Sequence, residues 1–336
     1  MMRLPRFRYF APASVKEALR IKAGEGADAA FVAGGTDLYP NMKRRQQTPK
    51  TVIGLSRIPS LARLRAGADG GLSIGAAAPL SAIESHRRAG RLFPALVHAV
   101  AEISTPPLRN MGTLGGNVLL DTRCNYYDQN YEWRQAIDFC MKKDGTVCWV
   151  APGSPKCLAV QSADSVPILI ALRTRAVLAS PEGEREVALE DLYANDGIRY
   201  LTKRPDELLT EIRVPAGGGW TASYRKLRRR GTFDFPVLAV GAAVRREGGR
   251  VAESRIVLGA VASAPVRASA AEAALAGRLL DAESIAEAGR AAAVVSRPMD
   301  NTDFSFLWRK EMTGKWVEKT LAELAGADAG TALRIS

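Results

Sequence analysis

The first third of the chain alternates short apolar runs with amphipathic stretches, a pattern that predicts strands alternating with helices. Ser14 followed by Glu17 is typical of a helix N-terminus, because the two side chains can form a capping box. The predicted strands are residues 7–10, 29–32, 51–55 and 72–76, and the predicted helices are residues 14–23, a stretch ending near 43–45, 80–85 and 93–103.

Residues 121–160 are polar, rich in aromatic side chains and almost without periodicity. Such a stretch predicts a long loop, and a loop of this length inside a compact domain is usually functional. Regular patterning then resumes, with a predicted helix at 165–172 and predicted strands at 176–179, 185–188 and 209–214.

Three consecutive glycines, at 217–219, predict a linker, and the order of elements changes after it. Strand patterns at 222–227, 237–245 and 254–262 are followed by helical patterns at 266–277, 282–295 and 304–325. A block of strands followed by a block of helices is typical of a separate α+β domain. We therefore predict an α+β protein with two domains, residues 1–216 and residues 217–336.

The chain has 336 residues, of which 47% are hydrophobic and 24% charged, as in ordinary globular proteins. No apolar stretch reaches the roughly 18–20 residues that a membrane span needs, and no apolar segment follows the charged N-terminus. We therefore expect a cytoplasmic protein without a membrane segment. The net charge of +12 is explained by solvated charged faces or by an acidic partner. No nucleic-acid-binding pattern is present, and an acidic protein such as a partner subunit or a ferredoxin fits equally well as a partner.

Two turns carry a pair of glycines followed by polar residues: Ala33-Gly34-Gly35-Thr36-Asp37 and Thr113-Leu114-Gly115-Gly116-Asn117. Bare backbone N–H groups at such turns suit an anionic phosphate. Neither turn is a Walker loop or a GxGxxG dinucleotide motif. The residues alone therefore indicate a nucleotide pocket, with purely structural turns as the alternative.

All four cysteines lie between Cys124 and Cys157, with 15, 7 and 8 residues between successive thiols. Four thiols in one segment favour a metal site, since disulfides are rare in the cytoplasm. Structural zinc usually pairs its ligands two to four residues apart, so an iron–sulfur cluster is slightly favoured over zinc. Unligated buried thiols remain an alternative.

Four segments, in order along the chain, resemble the flavoprotein subunits of the xanthine dehydrogenase and carbon monoxide dehydrogenase family, the molybdenum hydroxylases. They are Val32-Ala33-Gly34-Gly35-Thr36-Asp37-Leu38, Thr113-Leu114-Gly115-Gly116-Asn117, Ala163-Asp164-Ser165-Val166-Pro167 and Tyr224-Arg225-Lys226. The resemblance implies a two-part FAD-binding domain of the vanillyl-alcohol oxidase type, with a cysteine-containing insertion, and a smaller α+β C-terminal domain.

The same resemblance implies a set of FAD-binding residues. The two glycine turns are expected to hold the pyrophosphate, Asp164 to lie near the ribityl chain or isoalloxazine, and Lys226 to reach the flavin region. The turn residues in this expected set are Ala33, Gly34, Gly35, Thr36, Asp37, Leu38, Thr113, Gly115, Gly116 and Asn117.

An insertion at about residues 121–161 distinguishes this chain from most of that family. Asp121-Thr122-Arg123-Cys124 and Glu132-Trp133-Arg134, with the three later cysteines, resemble the flavoprotein subunits of 4-hydroxybenzoyl-CoA reductases. The resemblance implies a [4Fe–4S] cluster in the insertion. The expected ligands are Cys124, Cys140, Cys148 and Cys157.

The resemblance also implies an electron-transfer role with no catalytic residue in this chain. Electrons from reduced ferredoxin are expected to pass through [4Fe–4S] and FAD to a [2Fe–2S] subunit and a molybdenum-cofactor subunit, assembled as a dimer of heterotrimers. The expected reaction is the reductive removal of the para-hydroxyl of 4-hydroxybenzoyl-CoA. A related hydroxylase with another substrate, a stand-alone flavin oxidase and a zinc-stapled binding protein remain alternatives.

Overall fold

The computed structural model describes residues 3–327, so the first two and last nine residues of the two expected domains lie outside the described residues. The strands are β1 Arg8–Phe10, β2 Ala29–Val32, β3 Thr51–Gly54, β4 Leu64–Ala66, β5 Leu72–Gly75, β6 Arg175–Ser180, β7 Gly183–Ala188, β8 Leu208–Val214, β9 Trp220–Leu227, β10 Leu238–Glu247, β11 Arg250–Gly259 and β12 Val266–Arg267. The α-helices are α1 Val15–Glu25, α2 Leu38–Lys43, α3 Leu80–Glu84, α4 Arg87–Leu92, α5 Pro94–Ala101, α6 Pro106–Arg109, α7 Leu114–Val118, α8 Tyr131–Ala136, α9 Ser165–Ala171, α10 Ser269–Leu275, α11 Ala282–Val295 and α12 Phe306–Ala327.

The N-terminal part of the chain forms a small parallel sheet in the order β1-β3-β2. Helix α1 packs its buried residues Ala18 and Leu19 against this sheet, and Ser14 caps it by accepting a hydrogen bond from the Glu17 N–H, as the sequence predicts. Since the next helix begins at Leu38, residues 33–37 form the loop at the carboxyl end of β2.

A second, antiparallel sheet has the order β4-β5-β8-β6-β7 and brings strands from before and after the cysteine segment together. The cysteine segment is therefore an excursion from a continuous domain. Its two ends are joined by reciprocal backbone hydrogen bonds between Arg123 and Val160, with N···O distances of 2.8 and 2.7 Å. The expected long loop contains a short helix, α8, whose N-terminus is capped by the Asn130 side chain.

The C-terminal sheet, in the order β12-β11-β10-β9, is covered on both faces. Alternate residues of β10 point to opposite sides, as in any strand. Leu238, Val240 and Ala242 pack in a core with α11 and α12, whereas Ala239 and Ala243 pack in the core that contains the apolar, fully buried helix α9. The predicted α+β fold is confirmed.

No helix in the described range 3–327 is long and apolar enough to cross a membrane.

Candidate functional site

The first glycine turn lies against the backbone of Met111 and Gly112, which immediately precede the second turn. A Cβ on Gly34 would lie 1.6 Å from the carbonyl oxygen of Met111, and Gly35 has a φ of +72°. Both positions therefore require glycine. Among the described residues, no protein atom accepts a hydrogen bond from the N–H groups of Gly34, Gly35 or Thr36. These three groups are available to an anionic ligand.

The second glycine turn opens helix α7, and the Thr113 hydroxyl caps it by accepting from the Gly116 N–H at 3.1 Å. Thr113 also pairs with Pro79 in an isolated β-bridge, which holds the turn against the residue that precedes α3. The fold thus brings together two turns about 80 residues apart in sequence.

Asn117 connects the second turn to the acidic segment. Its Oδ1 accepts hydrogen bonds from the N–H and the hydroxyl of Ser165, at 3.1 and 2.6 Å. The preceding residue, Asp164, forms an ion pair with Lys226, whose Nζ lies 2.7 Å from the Asp164 Oδ1. The same oxygen accepts from the Tyr224 hydroxyl at 3.1 Å.

The Asp164–Lys226 pair is almost inaccessible to water, with side-chain exposures of 3% and 1%. Burial raises the pKa of Asp164, and the Lys226 ammonium opposes that rise. Lys226 also donates to the carbonyl of Glu102 at 2.9 Å. The structure thus places both predicted residues beside the second glycine turn and pairs them with each other.

Asp37, at the end of the first turn, faces the cysteine segment. Its carboxylate forms an ion pair with Arg123 and also accepts from the Asn41 amide at 3.1 Å. The Arg123 guanidinium lies 3.6 Å from Asp128 and 4.7 Å from the centre of the Phe235 ring. The sequence analysis gave Arg123 no role; its position next to Cys124 was the available signal.

The four cysteines are buried, form no disulfide and line one small cavity. Burial raises the pKa of the Cys124 thiol to about 12 and that of the Cys157 thiol to about 11. For Cys157, the Lys142 ammonium at the cavity wall opposes this rise. Tyr126, Tyr127 and Trp149 also line the cavity, so aromatic rings surround the thiols as well.

Within the part of the chain that the structure describes, no three or more His, Cys, Asp or Glu side chains are arranged to hold a single metal ion. In a [4Fe–4S] cluster each thiolate binds a different iron, so the ligands surround a larger volume than a single ion occupies. The structure supplies four thiols around one cavity, without a preformed metal site among the described residues.

Comparisons with known proteins cover nearly the whole chain. Residues 5–217 match the family described as the FAD binding domain in molybdopterin dehydrogenase. Residues 222–324 match the carbon monoxide dehydrogenase flavoprotein C-terminal domain.

Curated relatives and solved structures agree with these matches. The carbon monoxide dehydrogenase medium chain of Hydrogenophaga pseudoflava is 29% identical over 320 residues, which cover 94% of this chain and 96% of the relative. The aldehyde oxidoreductase FAD-binding subunit of Escherichia coli is 30% identical over 262 residues, covering 74% and 79%. A carbon monoxide dehydrogenase structure from Hydrogenophaga pseudoflava superimposes with a TM-score of 0.79 at 30% identity, covering 96% of this chain and 98% of that one.

Proposed function

Because this chain belongs to the family of FAD-binding subunits of molybdenum hydroxylases, we propose that it relays electrons through FAD and a [4Fe–4S] cluster in a 4-hydroxybenzoyl-CoA reductase. The observation that carries the finer part of this proposal is the arrangement of four buried thiols around one cavity. We also propose the division into an FAD-binding domain, residues 1–216, and a C-terminal domain, residues 217–336.

In this proposal the two glycine turns hold the FAD pyrophosphate, the first of them through its backbone N–H groups. In the second turn the N–H groups of residues 114–117 already donate to Ala78, Ala76 and Thr113. The free N–H groups of Gly34, Gly35 and Thr36, at a turn packed tightly against residues 111–112, support this assignment. Asp37, Asn117 and the Asp164–Lys226 pair then fix the turns in position through the contacts they make with neighbouring segments.

Cys124, Cys140, Cys148 and Cys157 are the proposed cluster ligands. The cluster and FAD, when bound, supply an electron path, because the cluster exchanges single electrons and FAD exchanges one or two. The residues of this chain hold the thiols together, exclude water and leave the substrate chemistry to another subunit.

The proposed overall reaction takes 4-hydroxybenzoyl-CoA, two electrons and two protons to benzoyl-CoA and water, at a molybdenum cofactor in a partner subunit. Reduced ferredoxin is the proposed donor, and a [2Fe–2S] subunit completes the proposed dimer of heterotrimers. We place the complex in the cytoplasm, where thiols stay reduced.

A second candidate is the flavoprotein subunit of a related molybdenum hydroxylase with another substrate. The relatives whose names specify carbon monoxide or aldehyde oxidation favour it. In such an enzyme electrons leave the molybdenum subunit through FAD, so the direction of flow is reversed.

Anaerobic purification of the full chain, with flavin, iron and sulfide measured on one sample, tests the cofactor assignment. We expect flavin absorption bands together with four iron and four sulfide per chain. Flavin without iron would remove the cluster from the proposal and leave the family assignment intact.

The substrate is tested on the complex co-expressed with its partner subunits. With a reduced low-potential dye as donor, we expect benzoyl-CoA to form from 4-hydroxybenzoyl-CoA. Oxidation of carbon monoxide or an aldehyde, with no benzoyl-CoA formed, would favour the second candidate.

A further inference from the structure

Lys142 places a buried positive charge at the cysteine cavity. Its side chain is 7% exposed and forms part of the cavity wall. The ammonium donates three hydrogen bonds, to Asp121 Oδ1 at 2.8 Å, Thr122 Oγ1 at 2.8 Å and the carbonyl oxygen of Gly197 at 2.7 Å. Its hydrogen-bonding capacity is therefore used within the protein, and it acts on the cavity through its charge.

The ion pair of Lys142 with Asp121 is oriented. Lys142 lines the cavity, whereas Asp121 does not, and the second carboxylate oxygen of Asp121 accepts from the Gln47 amide at 3.0 Å. The lysine end of the pair therefore borders the thiol cavity, with its ammonium hydrogens directed at Asp121, Thr122 and Gly197. Aromatic rings enclose the ammonium, with the centres of Tyr127 and Tyr200 at 5.0 and 5.6 Å, so little water screens the charge.

The same lysine holds the backbone that covers one of the proposed ligands. Gly197 donates its N–H to the carbonyl of Cys157 at 2.9 Å, and a Cβ on Gly197 would lie 2.7 Å from the Cys157 sulfur. Lys142, bonded to the carbonyl of Gly197, thus fixes the segment that packs directly against this sulfur.

We propose that Lys142 is a positioning residue that raises the reduction potential of the cluster bound by the four cysteines. This inference rests on the proposed cluster. Four thiolates and an oxidised core of charge 2+ sum to a net charge of −2, and uptake of one electron from the donor makes it −3. A fixed cation beside the ligands stabilises the more negative, reduced form, so its removal favours the oxidised form.

The test is an anaerobic redox titration of the full chain followed by electron paramagnetic resonance, with iron measured on every sample. In K142M, we expect the ratio of reduced to oxidised cluster at a fixed applied potential to fall about tenfold, a shift of about 59 mV for a one-electron couple. K142R keeps the charge and is expected to titrate close to the wild type.

Two further variants test the direction of the shift in reduction potential and whether it is specific to Lys142. D121N removes the counter-charge of Lys142 and is expected to shift the potential in the opposite direction. K143M is the matched control, because Lys143 is a third exposed and pairs with Asp144 at 3.3 Å; its potential is expected to stay at the wild-type value.

The outcomes separate this inference from the proposed function. A wild-type chain without iron removes the proposed cluster itself. Iron-loaded variants with unchanged potentials, or a D121N shift in the same direction as K142M, overturn the role of Lys142 and leave the cluster in place. If K142M fails to load iron, K142Q is titrated in its place, and an unchanged potential in iron-loaded K142Q overturns the role of Lys142.

Discussion

At the residue scale, Gly34 controls how closely the two glycine turns approach each other. Its Cα faces the carbonyl of Met111, a backbone atom that no side-chain rotation can move aside. A methyl group at this position must therefore displace one of the two turns. The proposed pyrophosphate site depends on both turns at once, so a displacement at Gly34 acts directly on flavin binding.

We expect G34A to weaken FAD binding by at least tenfold, because the free N–H groups of the first turn lose their alignment. Titration of flavin-depleted protein with FAD, followed by flavin fluorescence, measures the Kd. G24A is the matched control, since a Cβ at Gly24 meets no atom within 4 Å and alanine suits the interior of α1. Equal flavin affinity in G34A and G24A would contradict the assignment of this turn.

At the element scale, the cysteine segment is attached to the helix that follows the first glycine turn. Arg123 reaches Asp37 just before α2, and Gln47, just after α2, donates to Asp121 at 3.0 Å. Arg44, at the end of α2, lies 3.9 Å from Asp128. Because the cysteine segment contacts both ends of α2, ordering of the segment and ordering of the helix are coupled. We therefore expect FAD bound at the first glycine turn and a cluster bound in the segment to stabilise each other.

We expect R123M to lower FAD affinity and iron content together. The substitution leaves the partly buried carboxylate of Asp128 with less compensating positive charge and frees the Asp37 side chain, so both segments lose order. The FAD Kd and the iron-to-protein ratio are the two measurements. R199M serves as control, because Arg199 is exposed and its side chain contacts no acidic group in the described residues. Loss of iron with unchanged FAD affinity would show that the two sites are independent.

At the scale of the whole molecule, stability is unevenly distributed. The C-terminal sheet is packed on both faces by large apolar cores. The cysteine segment has only a small buried group, which consists mainly of three of the cysteines, Tyr127 and Ala159. Its order in the functional protein therefore depends on bonds to the proposed cluster, since metal binding can replace a missing apolar core.

We expect C148S to increase amide hydrogen exchange at least tenfold across residues 121–161 and to leave α11 and α12 unchanged. The cysteine segment is expected to open locally without global unfolding, because the C-terminal sheet is packed on both faces by other residues and does not depend on this segment. Exchange measured by mass spectrometry on anaerobic protein resolves the two regions. G153A, at an exposed position of the same segment with no atom near the added Cβ, is the control. If amide hydrogen exchange across residues 121–161 is as slow in C148S as in the wild type, the segment is ordered without metal.

Much of the local structure follows from the sequence alone. The strand at residues 29–32 and the helix at residues 282–295 are predicted with the bounds they have in the structure, because apolar periodicity and helix-capping residues act over a few positions. The first glycine pair likewise marks a tight turn, whereas the second pair, predicted as a turn, lies in the first turn of helix α7. Helix α8 was missed because its stretch lacks apolar periodicity. Its Arg134 is buried, with the guanidinium carbon 5.9 and 5.8 Å from the centres of the Tyr131 and Phe139 rings.

Only the tertiary structure decided which side chains meet. Asp37 and Arg123 are 86 residues apart, and Lys142 and Gly197 are 55 apart. Neither pair leaves a periodic trace, because ionic and hydrogen-bonding partners are selected by the packing of whole segments after local structure has formed. For the same reason the sequence predicted Asp164 and Lys226 separately as residues near the flavin. Their ion pair depends on the packing of β9 beside α9 and could not be predicted.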